Sequence, residues 1–312
     1  MDRKLSISQA TEAIRKKALE LGFADCGFSR AEYLDEDAAR LSDWLEAGSH
    51  AEMGYMANHF GKRTDPTQLV EGAQSVISVL YNYYTDKKQT DPEAPVISKY
   101  AYGKDYHKVM KDLLYTLFDT INEIFPQAAG RVFVDSAPVL DRAWARKAGL
   151  GWIGKNSCLI SRSSGSFVFI GEIILNQELE YNQIPESDFC GSCNRCVEAC
   201  PTGAILNDRT LDSHKCISYQ TIEKRGEISP ELEGLMEARI FGCDICQDVC
   251  PWNRKAVLHS EPQFEPSDAL MEMTEEQWGQ LDQEAYEKIF THSPVERAGF
   301  SKLQSNFAFL QK

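Results

Sequence analysis

Eight of the chain's ten cysteines fall between Cys190 and Cys250. The first run reads C-G-S-C-N-R-C-V-E-A-C-P and places Cys190, Cys193, Cys196 and Cys200 ahead of Pro201. The second begins with an isolated Cys216 and closes with F-G-C-D-I-C-Q-D-V-C-P, which holds Cys243, Cys246 and Cys250 ahead of Pro251. The second run repeats the first with one gap stretched, because 26 residues separate Cys216 from Cys243.

The spacing C-x2-C-x2-C-x3-C-P is the bacterial two-cluster ferredoxin pattern. Two-residue gaps let one tight loop present three thiolates to a cubane, and the fourth cysteine, before proline, serves the other cluster. That rule assigns Cys190, Cys193, Cys196 and Cys250 to one [4Fe-4S] cluster, and Cys216, Cys243, Cys246 and Cys200 to a second. Zinc ribbons use paired C-x2-C knuckles instead. Disulfides suit an exported chain. The opening Met-Asp-Arg-Lys-Leu-Ser leads into an amphipathic segment with no apolar signal core and no twin-arginine pair. A reducing cytoplasm is therefore expected, and no run approaches a membrane span. Cys26 and Cys158 lie outside the pattern and read as small buried apolar residues.

A chain of 312 residues can bury a sizeable core in one or two domains. The net charge of −14 argues mildly against nucleic acid, but its distribution is uneven. Glu261 to Glu287 holds nine acidic residues and no Lys or Arg, whereas Lys99 to Arg162 holds ten Lys and Arg against six Asp and Glu. The locally basic middle is compatible with a polyanionic substrate.

Ser6 with Gln9 predicts a capping box for a first helix, which Gly22 ends. Strands are predicted over 23–28, 75–83, 131–135 and 166–175, where β-branched and aromatic residues gather. Helices are predicted over 31–47, over a long stretch that residues 99–109 lead into and that runs through about 124, and over 138–148 with Pro138 in the first turn. Residues 51–60 read as a short helix or loop. The acidic segment and the tail read as helices. Strand and helix alternate before the cluster region, which predicts an α/β domain carrying a ferredoxin-like module.

Three constellations outside the cysteines carry chemistry. Gly149-Leu-Gly-Trp-Ile-Gly154 matches G-x-G-x-x-G, but a helix precedes it where the dinucleotide fingerprint needs a strand. It is either a plain glycine loop or the lining of another cofactor, with Lys155, Asn156 and Ser157 adding polar groups. Asp135 ends the apolar strand R-V-F-V-D. It is either a cap for the helix at Pro138 or a proton donor whose pKa apolar walls raise. His107 in D-Y-H-K-V-M falls short of the D-x-H-x-x-G motif of some cobalamin proteins for want of the glycine. A solvated helix face, a phosphate contact and a ligand all remain open for it.

R-V-F-V-D-S-A-P-V-L-D-R-A-W-A-R-K-A-G-L-G-W-I-G-K-N (131–156), ahead of the two-cluster motif, resembles the epoxyqueuosine reductases. So do Y-A-Y-G-K-D-Y-H-K-V (100–109) and C-I-S-Y-Q-T-I-E (216–223), and the similarity runs from about residue 5 to 310. The resemblance implies a cobalamin-dependent, iron-sulfur tRNA-modifying enzyme that reduces epoxyqueuosine to queuosine at the wobble position. It implies a nitroreductase-like α/β cobalamin-binding domain similar to that of reductive dehalogenases, and cobalamin bound base-off with no protein ligand to cobalt. Asp135 then matches the proton donor. His107, Gly154, Lys155, Asn156, Ser157, Ser218, Tyr219 and Gln220 match the surroundings of the corrin. Lys224, Arg225 and Arg297 are candidate contacts to tRNA phosphates. Many members carry a C-terminal HEAT-type repeat domain, and this chain ends before one. Its grip on tRNA is expected of the tail, where S-P-V-E-R-A-G-F-S-K-L (293–303) resembles a family stretch.

The expected organisation is a catalytic domain over 1–180, a two-cluster domain over 181–255 and a helical tail over 256–312 packing on the core. The expected partners are the tRNA anticodon loop and an external low-potential electron donor, with a monomeric protein and no membrane. A corrinoid reductive dehalogenase-like reductase of a small molecule shares the cofactors but normally carries a twin-arginine signal. A plain ferredoxin-type carrier leaves the long segment before Cys190 unexplained. A zinc-dependent RNA-binding protein would contain zinc without iron.

Overall fold

The computed structural model describes residues 5–182 and 188–312. The first four residues of the opening segment, on which the expectation of no signal partly rests, lie outside them. The elements are, in chain order, α1 (Ile7–Glu20), β1 (Asp25–Arg30), α2 (Asp35–Glu46), α3 (Phe60–Thr64), β2 (Ser75–Asn82), β3 (Val96–Ile97) and α4 (Tyr106–Ile124). Then come β4 (Gly130–Phe133), α5 (Asp141–Lys147), β5 (Trp152–Ile153), β6 (Leu159–Ile160) and β7 (Val168–Leu175). The cysteine region holds α6 (Arg195–Glu198), α7 (Ile217–Ile222), β8 (Arg239–Phe241) and α8 (Ile245–Asp248). Four helices close the chain: α9 (Asp268–Met271), α10 (Glu275–Gly279), α11 (Gln283–Phe290) and α12 (Phe300–Leu310).

The main sheet has the order β1-β2-β7-β4, and each neighbouring pair is antiparallel. β2 and β7 are central and almost wholly buried, so both read as continuous apolar runs. Strand alternation then sends successive residues to opposite layers. Ile77, Val79, Phe169 and Ile173 join a core with Ile14 of α1 and with Met110, Leu114 and Leu117 of α4. Val76, Phe133 and Ile174 face the other way and pack on Val139, Ala143 and Trp144 around α5. Burying an aliphatic or aromatic side chain of this kind stabilises by about 1.5–3 kcal/mol.

Local chemistry sets the ends of the helices. Ser6 accepts the Gln9 amide at 3.2 Å, and the Gln9 side chain accepts the Ser6 amide at 3.0 Å. Gly22, with φ +93°, turns the chain out of α1. The long helix that the 99–109 stretch leads into starts at Tyr106, where Asp105 accepts the His107 amide at 2.9 Å as its N-cap. A short 3-10 turn, Lys99–Ala101, precedes it. α5 starts at Asp141 rather than Pro138.

A second core unites distant segments. β3 pairs in parallel with β8, and Ile97, Tyr102, Ile240 and Phe241 pack with Trp278, Phe290 and Leu303 of the closing helices. The cysteine region is tied to the main sheet by a buried amide network. Gln247 donates to the Ser166 carbonyl at 2.8 Å, and the Asn253 carboxamide oxygen accepts the Ser166 amide at 2.7 Å. Among the described residues no helix is long and apolar enough to cross a membrane.

Candidate active site and cluster module

Asp135 follows the end of β4 in left-handed backbone, with φ +50°. It caps nothing: the residue before α5 is Leu140, and Asp135 is held by the first turn of α4 instead. The Tyr106 hydroxyl donates to the Asp135 carboxylate. His107 Nε2 lies 3.6 Å from Asp135 Oδ2, and His107 Nδ1 lies 2.7 Å from Asp105 Oδ1. The Tyr106 ring stacks on Phe169 of β7, 4.1 Å between centroids and 4° from parallel. The helix start, the strand end and the sheet thus fix one carboxylate.

The raised pKa expected of Asp135 is not what the structure gives. Burial pushes its carboxyl upward, but hydrogen bonds from His107 and Tyr106, the charge of His107 and that of Arg297 outweigh it, and the pKa is lowered. The proton sits on the imidazole. Burial pushes His107 down, the Asp105 and Asp135 carboxylates push it up further, and its pKa rises to about 9. Asp135 is 59% exposed, yet burial is the largest single influence on it. The carboxylate is thus both reachable from solvent and crowded by protein.

The glycine segment runs into a hairpin, not a helix. β5 pairs antiparallel with β6, and residues 154–158 form the turn. A Cβ on Gly151 would meet the Ile160 carbonyl at 2.2 Å, and one on Gly154 would meet Ile160 Cδ1 at 2.5 Å, so these glycines serve close packing. This turn bridges α5 to the cysteine region. Arg142, in the first turn of α5, donates to the Ser157 carbonyl, and the Ser157 hydroxyl donates to the Arg209 carbonyl at 3.1 Å. Asn156 is buried, and its Oδ1 accepts the Cys158 amide at 3.3 Å. Lys155 crosses to the first cysteine loop, where its ammonium donates to the Gly191 carbonyl at 2.9 Å and to Asn194 at 2.7 Å.

The cysteines gather into two groups. The thiol of Cys250 has Cys190 and Cys193 as neighbours, and that of Cys196 has Cys190 and Cys250. Cys216 faces Cys200 and Cys158, while Cys246 meets Cys158 first and then Cys243 and Cys216, so Cys158, expected to be a plain buried residue, sits against this group. The one-turn helices α6 and α8, equivalent in the two runs, pack together. Among the described residues no three His, Cys, Asp or Glu side chains converge as ligands of one ion. A cubane takes one thiolate per iron corner, so its ligands ring a space rather than meet at a point. This donor set fits two cubanes. Burial pushes Cys243 up to about 12 and raises Cys216, Cys196 and Cys250 as well, and among these eight thiols Cys250 alone is buried.

Residues 189–253 match a family described as a 4Fe-4S double cluster binding domain, and residues 63–136 match one described as Epoxyqueuosine reductase QueG, DUF1730. An epoxyqueuosine reductase of Leadbetterella byssophila is 50% identical over 302 residues, covering 97% of this chain and 98% of the relative. One from Escherichia coli is 39% identical over 313 residues, covering 99% and 82%. The chain belongs to the epoxyqueuosine reductase family.

Membership makes it an oxidoreductase. Solved members superimpose closely. A crystal structure of an epoxyqueuosine reductase with an epoxyqueuosine-modified tRNA-Tyr stem loop aligns with TM-score 0.90 and 28% identity, covering 98% of this chain and 81% of that one. A Bacillus subtilis epoxyqueuosine reductase, described with its catalytic aspartate loop swung out of the active site, aligns with TM-score 0.85 and 28% identity, covering 98% and 82%. A reductive dehalogenase described for B12-dependent dehalogenation shares the fold, with TM-score 0.51 and 14% identity, covering 100% and 37%.

Within the family frame, α7 is where expectation and structure part. Gln220 is 1% exposed; its amide nitrogen donates to the His214 carbonyl at 2.5 Å and its oxygen accepts the Ser229 amide at 3.0 Å. Tyr219 is buried, and its hydroxyl accepts the Glu52 amide at 3.0 Å. Both were expected around the corrin, and both spend their polar groups inside the protein, because a one-and-a-half-turn helix must turn one face inward. Ser218 stays partly exposed. Lys224 donates to Ser229 at 2.5 Å, and the exposed Arg225 donates its amide to Glu52 at 3.0 Å. Arg297 pairs with Glu223 at 2.8 Å and lies close enough to lower the Asp135 pKa. Sequence reasoning missed Tyr106, Arg142 and Glu172. The signal for Glu172 was present: it is the only charged residue in the apolar run 166–175.

Proposed function

We propose that this chain reduces epoxyqueuosine to queuosine at the wobble position of tRNA, with Asp135 and His107 managing the proton. The observation that carries the reading is the placement of Asp135. It is open to solvent and bonded to Tyr106 and His107, while the 154–158 turn, held by Arg142 of α5, brings Cys158 against Cys246. Conversion of an epoxide to an alkene consumes two electrons and two protons and releases water.

A flat corrin needs a place that substrate can reach and protein can screen from water, and Asp135 is both exposed and crowded by protein. His107, Gly154, Asn156, Ser157 and Ser218 are the residues that would hold it. Bound there base-off, cobalamin supplies a strongly reducing cobalt centre. Both His107 ring nitrogens face carboxylates, which leaves neither for cobalt. Cys190, Cys193, Cys196 and Cys250 ligate an outer [4Fe-4S] cluster. Cys200, Cys216, Cys243 and Cys246 ligate an inner one, toward Asp135, and an external low-potential donor feeds the series. The wobble nucleotide leaves its loop to reach Asp135. As its oxygen departs, the His107–Asp135 pair delivers a proton to it. Lys224, Arg225 and Arg297 meet tRNA phosphates from the same side.

The working protein is a cytoplasmic monomer, divided as 1–180, 181–255 and 256–312, with the second core as a seam between the parts. The test is anaerobic incubation of cluster-loaded protein with cobalamin, a low-potential reductant and an epoxyqueuosine stem loop. Queuosine is the expected product. Its absence, with clusters and cobalamin verified by their visible spectra, overturns the reading.

A further inference from the structure

The two cysteine loops differ in what surrounds them. Cys190, Cys193 and Cys196 are interspersed with Gly191, Ser192, Asn194 and Arg195, all exposed. The residues beside and between Cys243 and Cys246, namely Gly242, Asp244, Ile245 and Gln247, are buried. Electron tunnelling falls off exponentially with distance, so an external donor must come up to the loop that meets solvent, which is the first. Cations ring that loop. The Lys155 ammonium donates to the Gly191 carbonyl at 2.9 Å and to Asn194 at 2.7 Å. The exposed Arg162 holds its guanidinium 3.9 Å from the centroid of the Phe189 ring, next to Cys190. Phe189 meets Trp152 and Trp252, at 5.0 and 6.0 Å between centroids. Trp252 lies in the turn Pro251–Lys255, which follows Cys250 and ends in the exposed Arg254 and Lys255. The bordering carboxylates among the described residues are Asp188, which Arg209 neutralises, Asp208 beside that pair, and Glu198. The ring is thus basic in a chain of net charge −14. Shortly after Lys255, Val257 and Leu258 stand 70% and 52% exposed and give the ring an apolar edge.

We propose that this basic ring is the docking face for the electron donor, and that the donor is a small acidic carrier protein with a one-electron centre, flavin or iron-sulfur, at its own surface. The inference deepens the function proposed above and rests on its series of two clusters. At each encounter one electron passes from the carrier's reduced centre to the cluster of Cys190, Cys193, Cys196 and Cys250, which oxidises the first and reduces the second. No bond forms and no proton moves. Two encounters supply the two electrons that removal of the epoxide oxygen consumes. Opposite charge speeds such encounters by steering, and an apolar edge of two side chains is small enough to let the carrier leave after each electron. A tRNA backbone is also polyanionic, but its wobble nucleotide has to reach Asp135, and the cations assigned to it follow α7 or lie in the tail, away from this ring in the chain.

The test mixes cluster-loaded protein, without cobalamin or tRNA, with a reduced acidic flavodoxin or a reduced acidic [2Fe-2S] ferredoxin. Stopped-flow absorbance reads oxidation of the carrier, and calorimetry at low salt reads binding of its oxidised form. The second-order rate should fall steeply as salt is added. Arg254→Glu with Lys255→Glu should lower the low-salt rate about tenfold and flatten its salt dependence, and Arg162→Glu should act in the same direction. Glu198→Lys should raise the rate, and serves alone if the other variants do not keep their clusters. Reduction by a small neutral deazaflavin photoreductant should be unchanged in every variant. The carrier that reacts tells flavin from iron-sulfur donors. Absence of binding and electron transfer with both carriers overturns the proposal, as do cluster-loaded variants with the rate and salt dependence of the unmodified protein. Weaker stem-loop binding in the charge-reversed variants with unchanged carrier rates also overturns it, and makes the ring a nucleic-acid surface. No epoxyqueuosine is present in these mixtures, so failure of turnover would refute the functional reading and leave this result standing.

Discussion

His107 Nε2 lies 3.6 Å from the Asp135 carboxylate while its Nδ1 is held at 2.7 Å by Asp105. An imidazole between two carboxylates is a proton store. The acid of this site is therefore a pair, with the proton on His107 and the negative charge on Asp135 in the resting protein. Substrate placed against the pair strips water from both, and the same desolvation that opposes the Asp135 charge then favours the neutral pair, with the proton moved to the carboxyl.

A histidine raised from 6.5 to about 9 makes stability depend on pH in a definite direction. The contribution is complete below pH 6.5 and disappears as pH rises through 9. The partners are partly open to water, so it is discounted to about 1–2 kcal/mol. His107→Gln should lower Tm by about 2–4 °C at pH 6.5. At pH 9.5 the two proteins should melt together. Thermal melts of cluster-loaded protein at both values check this, and an equal gap at the two would disprove it.

Tyr106 can be altered without disturbing its packing. Tyr106→Phe keeps the ring on Phe169 and removes the hydroxyl that donates to Asp135. The loss should cost about 1 kcal/mol of stability. The Asp135 pKa should move up, because one of the bonds that lowers it is gone. Asp135→Asn is the harsher change and should reduce kcat by about 100-fold or more, with the cluster spectra unchanged. The pH dependence of kcat in the phenylalanine variant is the deciding measurement: its acidic limb should shift upward.

Much of this site was legible in the chain, for reasons that differ residue by residue. The cysteine grouping could be read because spacing alone determines which thiols share a loop. The Ser6–Gln9 capping box could be read because both partners are local. Asp135 was visible as the end of an apolar strand, but its partners were not. Tyr106 and His107 reach it from 28 and more residues upstream, across a sheet whose strand order β1-β2-β7-β4 no local pattern encodes. The sign of its pKa shift went with them. Apolar neighbours in sequence suggested a raised value, and a histidine delivered by the fold lowers it. Gln220 was named only through the resemblance, and no local pattern shows that α7 turns its side chain inward onto Ser229.

The two cysteine groups should respond differently to loss of one ligand. Cys196 belongs to the proposed outer group and Cys243 to the proposed inner one, and both thiols are partly exposed. Cys196→Ala should lower iron from about eight to about four atoms per chain and leave one reducible [4Fe-4S] signal. Turnover with a protein donor should fall more than turnover with a small chemical reductant that can reach the inner cluster. Iron analysis and electron paramagnetic resonance of the variant check the first point. Equal losses with both reductants would contradict the series order.

Arg297 faces two tasks, and one variant pair separates them. Its guanidinium pairs with Glu223 at 2.8 Å, is 62% exposed, and helps hold the Asp135 pKa down. If it also meets a tRNA phosphate, Arg297→Ala should weaken stem-loop binding and flatten its dependence on salt by about one unit of slope. Glu223→Gln should do the reverse, because it frees the guanidinium from its protein partner. Both should change the acidic limb of turnover, since each alters the charge near Asp135. Fluorescence anisotropy of a labelled stem loop over a range of salt concentrations, read beside the pH profile, resolves the two effects. A change in the profile with an unchanged salt slope would make Arg297 a group that tunes Asp135 and not a tRNA contact.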